Sequence, residues 1–98
     1  MSRMVAVIAR VRAKQDMAPA FEKMVTEVAA NVEAVEPGNV FYRAYRTGDP
    51  HVFVAVEVYR DKTAQDAHLA SAHRAAAASR VMGLLEGGIE AEMLEQVW

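Results

Sequence analysis

The chain has 98 residues, 53% of them apolar and 24% charged, with a formal net charge of −2 and no cysteine. That is one domain with no room for a second core, no basic footprint for nucleic acid, and no disulfide, thiolate metal site or cysteine nucleophile. The apolar run Met4–Ala9 is closed by Arg10 and is too short for a signal-peptide core, and nothing approaches the ~20 apolar residues of a membrane span. The expectation is a cytoplasmic protein that engages neither nucleic acid nor membrane.

Met4 to Arg12 alternates, with Val5, Val7, Ala9 and Val11 on one side, and predicts a strand. Lys14-Gln15-Asp16 breaks the pattern, and Asp16 is the expected N-cap of a helix. In that helix Phe21, Met24, Val25, Val28, Val32 and Val35 recur at helical spacing, while Glu22, Glu27 and Glu33 turn to water. Pro37-Gly38 stops it. Asn39 to Arg46 predicts a second strand, Thr47-Gly48-Asp49-Pro50 a turn, and His51 to Arg60 a third strand paired to the second as a hairpin. A helical region from about Thr63 to Glu86 follows, capped by Asp61 or Thr63 and broken near Ser71-Ala72. Its second part is expected to bury Ala78, Val81, Met82 and Leu85 and to end at Gly87-Gly88. Ile89 to Val97 alternates again as a fourth strand, with Trp98 packed on the sheet edge. The order β-α-β-β-α-β is that of an α+β, ferredoxin-like domain of residues 1–98 with a four-stranded antiparallel sheet.

Strand parity bears on assembly. In the third strand Val52, Val54, Val56 and Val58 oppose Phe53, Ala55, Glu57 and Tyr59; in the second, Val40, Tyr42 and Ala44 oppose Phe41, Arg43 and Tyr45. Both faces are apolar, and the helices of one chain cover only one. Left open, Phe53 and its neighbours would expose a patch on the order of several hundred Å2. A second copy of the chain is the simplest cover, so a homodimer is expected.

Chemistry concentrates between Glu57 and His73. A carboxylate on an apolar strand face, between Ala55 and Tyr59, is costly unless paired or protonated. Glu57 is therefore either a catalytic acid–base group or a buried partner of Arg43 or Arg10. His68 sits where a cleft between helix and sheet is expected, and an imidazole suits proton transfer near neutral pH; it could equally hydrogen-bond a helix-end carbonyl. His73 can cap the first helical segment. Five positions apart, the two histidines do not share a face of an unbroken helix, so no metal site is expected. A break near Ser71 could swing His73 round, with the remaining ligands unspecified. Tyr42 and Tyr59 are core aromatics or the wall of a pocket for a flat ring. Asn39 is a turn residue or an amide that orients a ligand oxygen. His51, after the turn proline, is expected in solvent. No phosphate loop, serine triad or zinc signature is present.

The pattern Glu57-Val58-Tyr59 followed by His68-Leu69-Ala70-Ser71-Ala72-His73 resembles the antibiotic biosynthesis monooxygenase family. So do Ala9-Arg10-Val11-Arg12-Ala13-Lys14, Glu36-Pro37-Gly38, Tyr42 and Tyr45, and Asp49-Pro50, so that the likeness spans nearly the whole chain. The resemblance implies a dimeric α+β barrel of ferredoxin-like chains, with a pocket between helices and sheet. Activities in the family include cofactor-free oxidation of polycyclic phenols, quinol oxidation and haem degradation. In haem-degrading relatives the iron-binding histidine lies seven positions after the serine matching Ser71, with an aromatic three positions after it. Ala78 and Arg74 stand there in this chain, so haem lacks its axial ligand.

The resemblance thus favours a cofactor-free monooxygenase of an electron-rich phenol or quinol. His68 would be the base or its relay, Glu57 the group that orients or tunes it, and Asn39, Tyr42, Tyr59 and His73 the contacts to a small aromatic substrate. Many relatives carry tryptophan where this chain has Tyr59. Two alternatives share the scaffold: an acid–base isomerase of a polar carbonyl compound, marked by a wetter pocket with a cationic group such as Arg43 or Arg10 facing it, and a non-catalytic ligand-binding dimer, marked by a pocket filled by its own side chains with Glu57 locked in an ion pair.

Overall fold

A computed structural model describes residues 3–98. The elements are β1 (Val5–Arg12), α1 (Ala18–Val35), β2 (Asn39–Arg46), β3 (Val52–Tyr59), α2 (Lys62–Leu69), α3 (Ala72–Met82) and β4 (Glu90–Glu95). They form the α+β, ferredoxin-like arrangement, with one antiparallel sheet ordered β2-β3-β1-β4. Among the described residues, no helix is long and apolar enough to cross a membrane.

Register across the sheet sorts the side chains into two faces. Met93, Val7, Glu57 and Tyr42 form one row beneath the helices. Glu92, Ile8, Val56 and Arg43 form the neighbouring row on the opposite side. Val40 is passed over where the β2–β3 register shifts between Asn39 and Phe41, which marks a bulge at the entrance to β2.

The core lies under α1, at the end of the sheet where β1 leaves and β3 enters. Val11, Ala13, Phe21, Val25, Phe53 and Leu85 are buried together, with the Phe21 and Phe53 rings 4.8 Å apart. Full burial of each such large apolar side chain contributes about 1.5–3 kcal/mol. Phe53 therefore belongs to the covered face. The open face is the other one, where Ile8, Val54, Val56 and Val58 are half-buried and Tyr45 and Leu94 exposed.

Several local expectations are corrected. Asp16 does not cap α1: it takes a left-handed φ of 67°, Met17 occupies the N-cap without a side-chain bond, and a proline in the first turn starts the helix. Val35 is exposed at the end of α1. Helix α3 ends at Met82, which is exposed, rather than at Gly87-Gly88. Leu85 instead reaches an isolated bridge with Ala13, which secures the chain beyond α3 to the end of β1. Trp98 is fully exposed, away from the sheet edge.

Candidate active site

Four segments converge at the opposite end of the sheet from the aromatic core. The last residue of β3, Tyr59, and Glu57 two places before it share the helix-side face. Tyr59 donates its hydroxyl to Glu57 Oε1 at 2.5 Å. From α1, Glu36 follows the last helical turn, with its N–H bonded to the Val32 carbonyl at 2.9 Å, and Pro37 ends the run. Its carboxylate Oε2 lies 2.7 Å from His68 Nδ1 and also contacts His73 Nε2.

The chain break between α2 and α3 makes this convergence possible. Ala64 N–H donates to Asp61 Oδ1 at 2.8 Å, starting α2. That helix stops at Leu69. Ser71, in extended conformation, donates its hydroxyl to the His68 carbonyl at 2.7 Å and accepts from Arg74 N–H at 3.2 Å as the N-cap of α3. The helical phase is reset there, so His68 in the last turn of α2 and His73 in the first turn of α3 turn to the same carboxylate. Five positions separate the two histidines onto different faces only in an unbroken helix, and here the helix is broken.

His68 stands between two acids. Its Nδ1 faces Glu36, and its Nε2 lies 3.7 Å from Glu57 Oε1. Both acids and the imidazole are largely buried, whereas His73 is about a third exposed. A neutral imidazole can donate to one of these carboxylates; an imidazolium can face both. The Tyr59 ring lies against His68 with centroids 5.3 Å apart, and Tyr42 approaches more edge-on at 6.4 Å. Burial, then the hydrogen bond to Glu57, pushes the Tyr59 hydroxyl well above the ordinary phenol range. Burial, then the negative charges of Glu57 and Glu36, does the same to Tyr42. Tyr59 thus serves as a hydrogen-bond donor to Glu57.

Tyr42, Glu57, Tyr59, His68 and His73 form one wall of a cavity of about 560 Å3 between the sheet and α3, with Glu36 behind the histidines. Val7, Ala9, Ala55 and Ala91 supply an apolar floor, and Ala77 and Ala78 line it from α3. The small side chains on both sides leave space where larger ones would close it. That volume falls in the range of small-molecule sites.

The sequence profile of antibiotic biosynthesis monooxygenases matches residues 4–80. The chain belongs to the antibiotic biosynthesis monooxygenase family. A Caulobacter crescentus protein with antibiotic biosynthesis monooxygenase as its working name is 28% identical at a TM-score of 0.93, covering 99% of this chain and 92% of that one. Rv0793 from Mycobacterium tuberculosis is also 28% identical, at a TM-score of 0.87, over 96% of this chain and 95% of its own. A Nitrosomonas europaea structure with the same working name shares the fold at 21% identity and a TM-score of 0.90, over 100% of this chain and 94% of that one. No functionally curated protein matches by sequence.

In this family member Glu57, Tyr42, Tyr59, His68 and His73 all line the cavity. Asn39 does not line it. The bulge takes its amide, which donates to the Phe41 carbonyl at 3.2 Å and the Val58 carbonyl at 3.4 Å, so it stands as a strand-entrance residue. Arg43 bonds Glu33 on α1, and Arg10 lies on the sheet's other face, so neither partners Glu57. His73 does not cap α2; Ala70 holds that place, its N–H bonded to the Asp66 carbonyl at 3.0 Å. His51 stays near Asp49 in the hairpin turn. Glu36 is the functional candidate that residue-by-residue reading missed. Its only signal was its place in Glu36-Pro37-Gly38, since a helix-end glutamate ordinarily faces water.

Proposed function

We propose that this family member is a cofactor-independent monooxygenase of an electron-rich phenol or quinol. The observation that carries the reading is His68, held between Glu36 and Glu57 on the wall of a largely apolar cavity. Glu36 takes the Nδ1–H, which leaves Nε2 as acceptor for a substrate hydroxyl proton. The imidazolium so formed is stabilised by carboxylates on both sides. The apolar floor receives the flat ring and excludes water. Tyr59 donates to Glu57 and keeps that carboxylate in place.

The substrate anion supplies the electrons. It reduces molecular oxygen, a carbon–oxygen bond forms on the substrate carbon, and the resulting hydroperoxide loses water to leave a carbonyl. One oxygen atom enters product and the other leaves as water. Neither Arg43 nor Arg10 lines the cavity, but Arg74 and Arg80 do, so the isomerase alternative keeps a cationic group for its ligand, and it is the apolar floor that favours the oxygenase reading. An open cavity likewise favours ligand turnover over a self-filled binding fold. We further infer that the open valine face is covered by a second copy of the chain.

The test is oxygen uptake by purified protein with a reduced naphthoquinol or an anthrone, without added metal or flavin and in the presence of chelator. Uptake well above the uncatalysed rate is expected, and His68→Ala should lower it at least ~100-fold with the fold intact. Background rates across these substrates would overturn the oxygenase reading, and full turnover by His68→Ala would remove His68 from the mechanism.

A further inference from the structure

We propose that Glu36, His68 and His73 form a binding site for a divalent transition-metal ion of the Zn2+ or Fe2+ type. Their three donor atoms, one from each side chain, all lie within 4.8 Å of one another. They come from the end of α1, the last turn of α2 and the first turn of α3, so the site exists only in the folded chain. Two imidazoles and one carboxylate make the donor set that suits borderline metals, in contrast to the all-oxygen sets preferred by Mg2+ and Ca2+. Three protein ligands leave a position open, as in metal sites that accept water or a ligand. That position would face the cavity, which His68 and His73 both line.

The surroundings fit as well as the donors. With His68 Nδ1 on the ion, its Nε2–H is turned toward Glu57 Oε1, 3.7 Å away, and Tyr59 fixes that same oxygen at 2.5 Å. A carboxylate behind a ligating histidine sets its tautomer and ring orientation. Glu36 and His68 are nearly buried, which limits the mobility of two of the three ligands. The chain's remaining histidine, His51, lies apart in the β2–β3 turn beside Asp49.

A metal on His68 Nδ1 and Glu36 would withdraw both from the acid–base arrangement. The metal-loaded and proton-transferring forms are thus alternative states of one cluster. The metal inference rests on the geometry of the three donors and not on the oxygenase reading, and the two fail separately.

The experiment is titration of chelator-treated, dialysed protein with Co2+, followed by visible ligand-field absorption, and with Zn2+ by calorimetry. One Zn2+ per chain is expected, with a dissociation constant on the order of micromolar or tighter. His73→Ala and Glu36→Gln should each weaken binding by at least ~10- to 100-fold, while His51→Ala leaves it unchanged. His73 is partly exposed, so its removal leaves the fold intact by circular dichroism. Absence of Co2+ bands and of Zn2+ heat in the unmodified protein overturns the site without recourse to any variant. Unchanged affinity in His73→Ala, or loss of binding in His51→Ala, overturns it equally.

Discussion

Tyr59 is fully buried, and its hydroxyl has one described partner, the carboxylate of Glu57. A hydrogen bond to a charged group inside a protein contributes about 1.5–3 kcal/mol, and the loss is felt most when the acceptor stays buried. Tyr59→Phe removes the donor and preserves the ring against His68. We expect a loss of stability in that range, read as a lower denaturant midpoint with unchanged slope. Glu57→Gln keeps an oxygen for Tyr59 to donate to, so it should cost less stability than Tyr59→Phe. Its larger effect should be on oxygen uptake, because the charge beside His68 Nε2 is gone. The opposite ranking, with Glu57→Gln the more destabilising and turnover intact, would make Glu57 a structural partner only.

At the scale of elements, the site depends on how closely α2 approaches the entrance to β2. A methyl group built on Gly38 would collide with the Ala64 side chain in α2, and Arg60 N–H donates to the Gly38 carbonyl at 2.8 Å. Gly38 is needed here for its lack of a side chain. Gly38→Ala should destabilise by about 1–3 kcal/mol, the range for overpacking, and should displace the helix carrying His68. Thermal unfolding and the activity assay would measure the two effects; a variant as stable and active as the parent would show that α2 yields freely.

Glu33 performs the corresponding task for α1. Its carboxylate accepts Tyr42 N–H at 2.9 Å and pairs with Arg43. The Tyr42 N–H bond first, and then Arg43, hold its proton affinity below the ordinary glutamate range. A carboxyl depressed in the folded state adds stability that is complete above the unfolded value of ~4.3 and disappears as pH falls through the folded one. The melting temperature should therefore drop between neutral pH and pH ~3 more steeply in the parent than in Glu33→Gln. Parallel acid limbs would show that this tie is energetically idle.

For the whole molecule, the helices lie on one face of the sheet and leave Ile8, Val54, Val56 and Val58 only half-buried on the other. Together with the exposed Tyr45 and Leu94, they form an apolar surface of the kind that soluble chains ordinarily cover. Sedimentation at micromolar concentration should find a dimer. Val56→Lys places a charge in the centre of that surface, opposite Ile8 in register, and should shift the equilibrium toward monomer. A soluble, folded monomer in the parent would mean that the valine face tolerates water.

Much of the architecture was legible because it is encoded between near neighbours. Alternation over Met4–Arg12 and His51–Arg60, the turn residues at Thr47–Pro50, and Pro37-Gly38 after an apolar stripe each specify an element within a few residues. The break expected near Ser71-Ala72 falls where α2 gives way to α3. The face that α1 covers was not fixed this way, because Phe53 and Val54 point to opposite sides with similar apolar character, and only packing against Phe21 chose between them. The site was legible in part for the same reason. Glu57 and Tyr59 lie on one strand face by parity, and His68 follows shortly after. Glu36 is 32 positions from His68 and joins it only when α1, α2 and β3 meet at one end of the sheet. Sequence alone determined the elements, their order and the family. Tertiary structure decided that a histidine from α2 and a histidine from α3 share one carboxylate oxygen of Glu36 at the end of α1, because that contact depends on where separate elements pack.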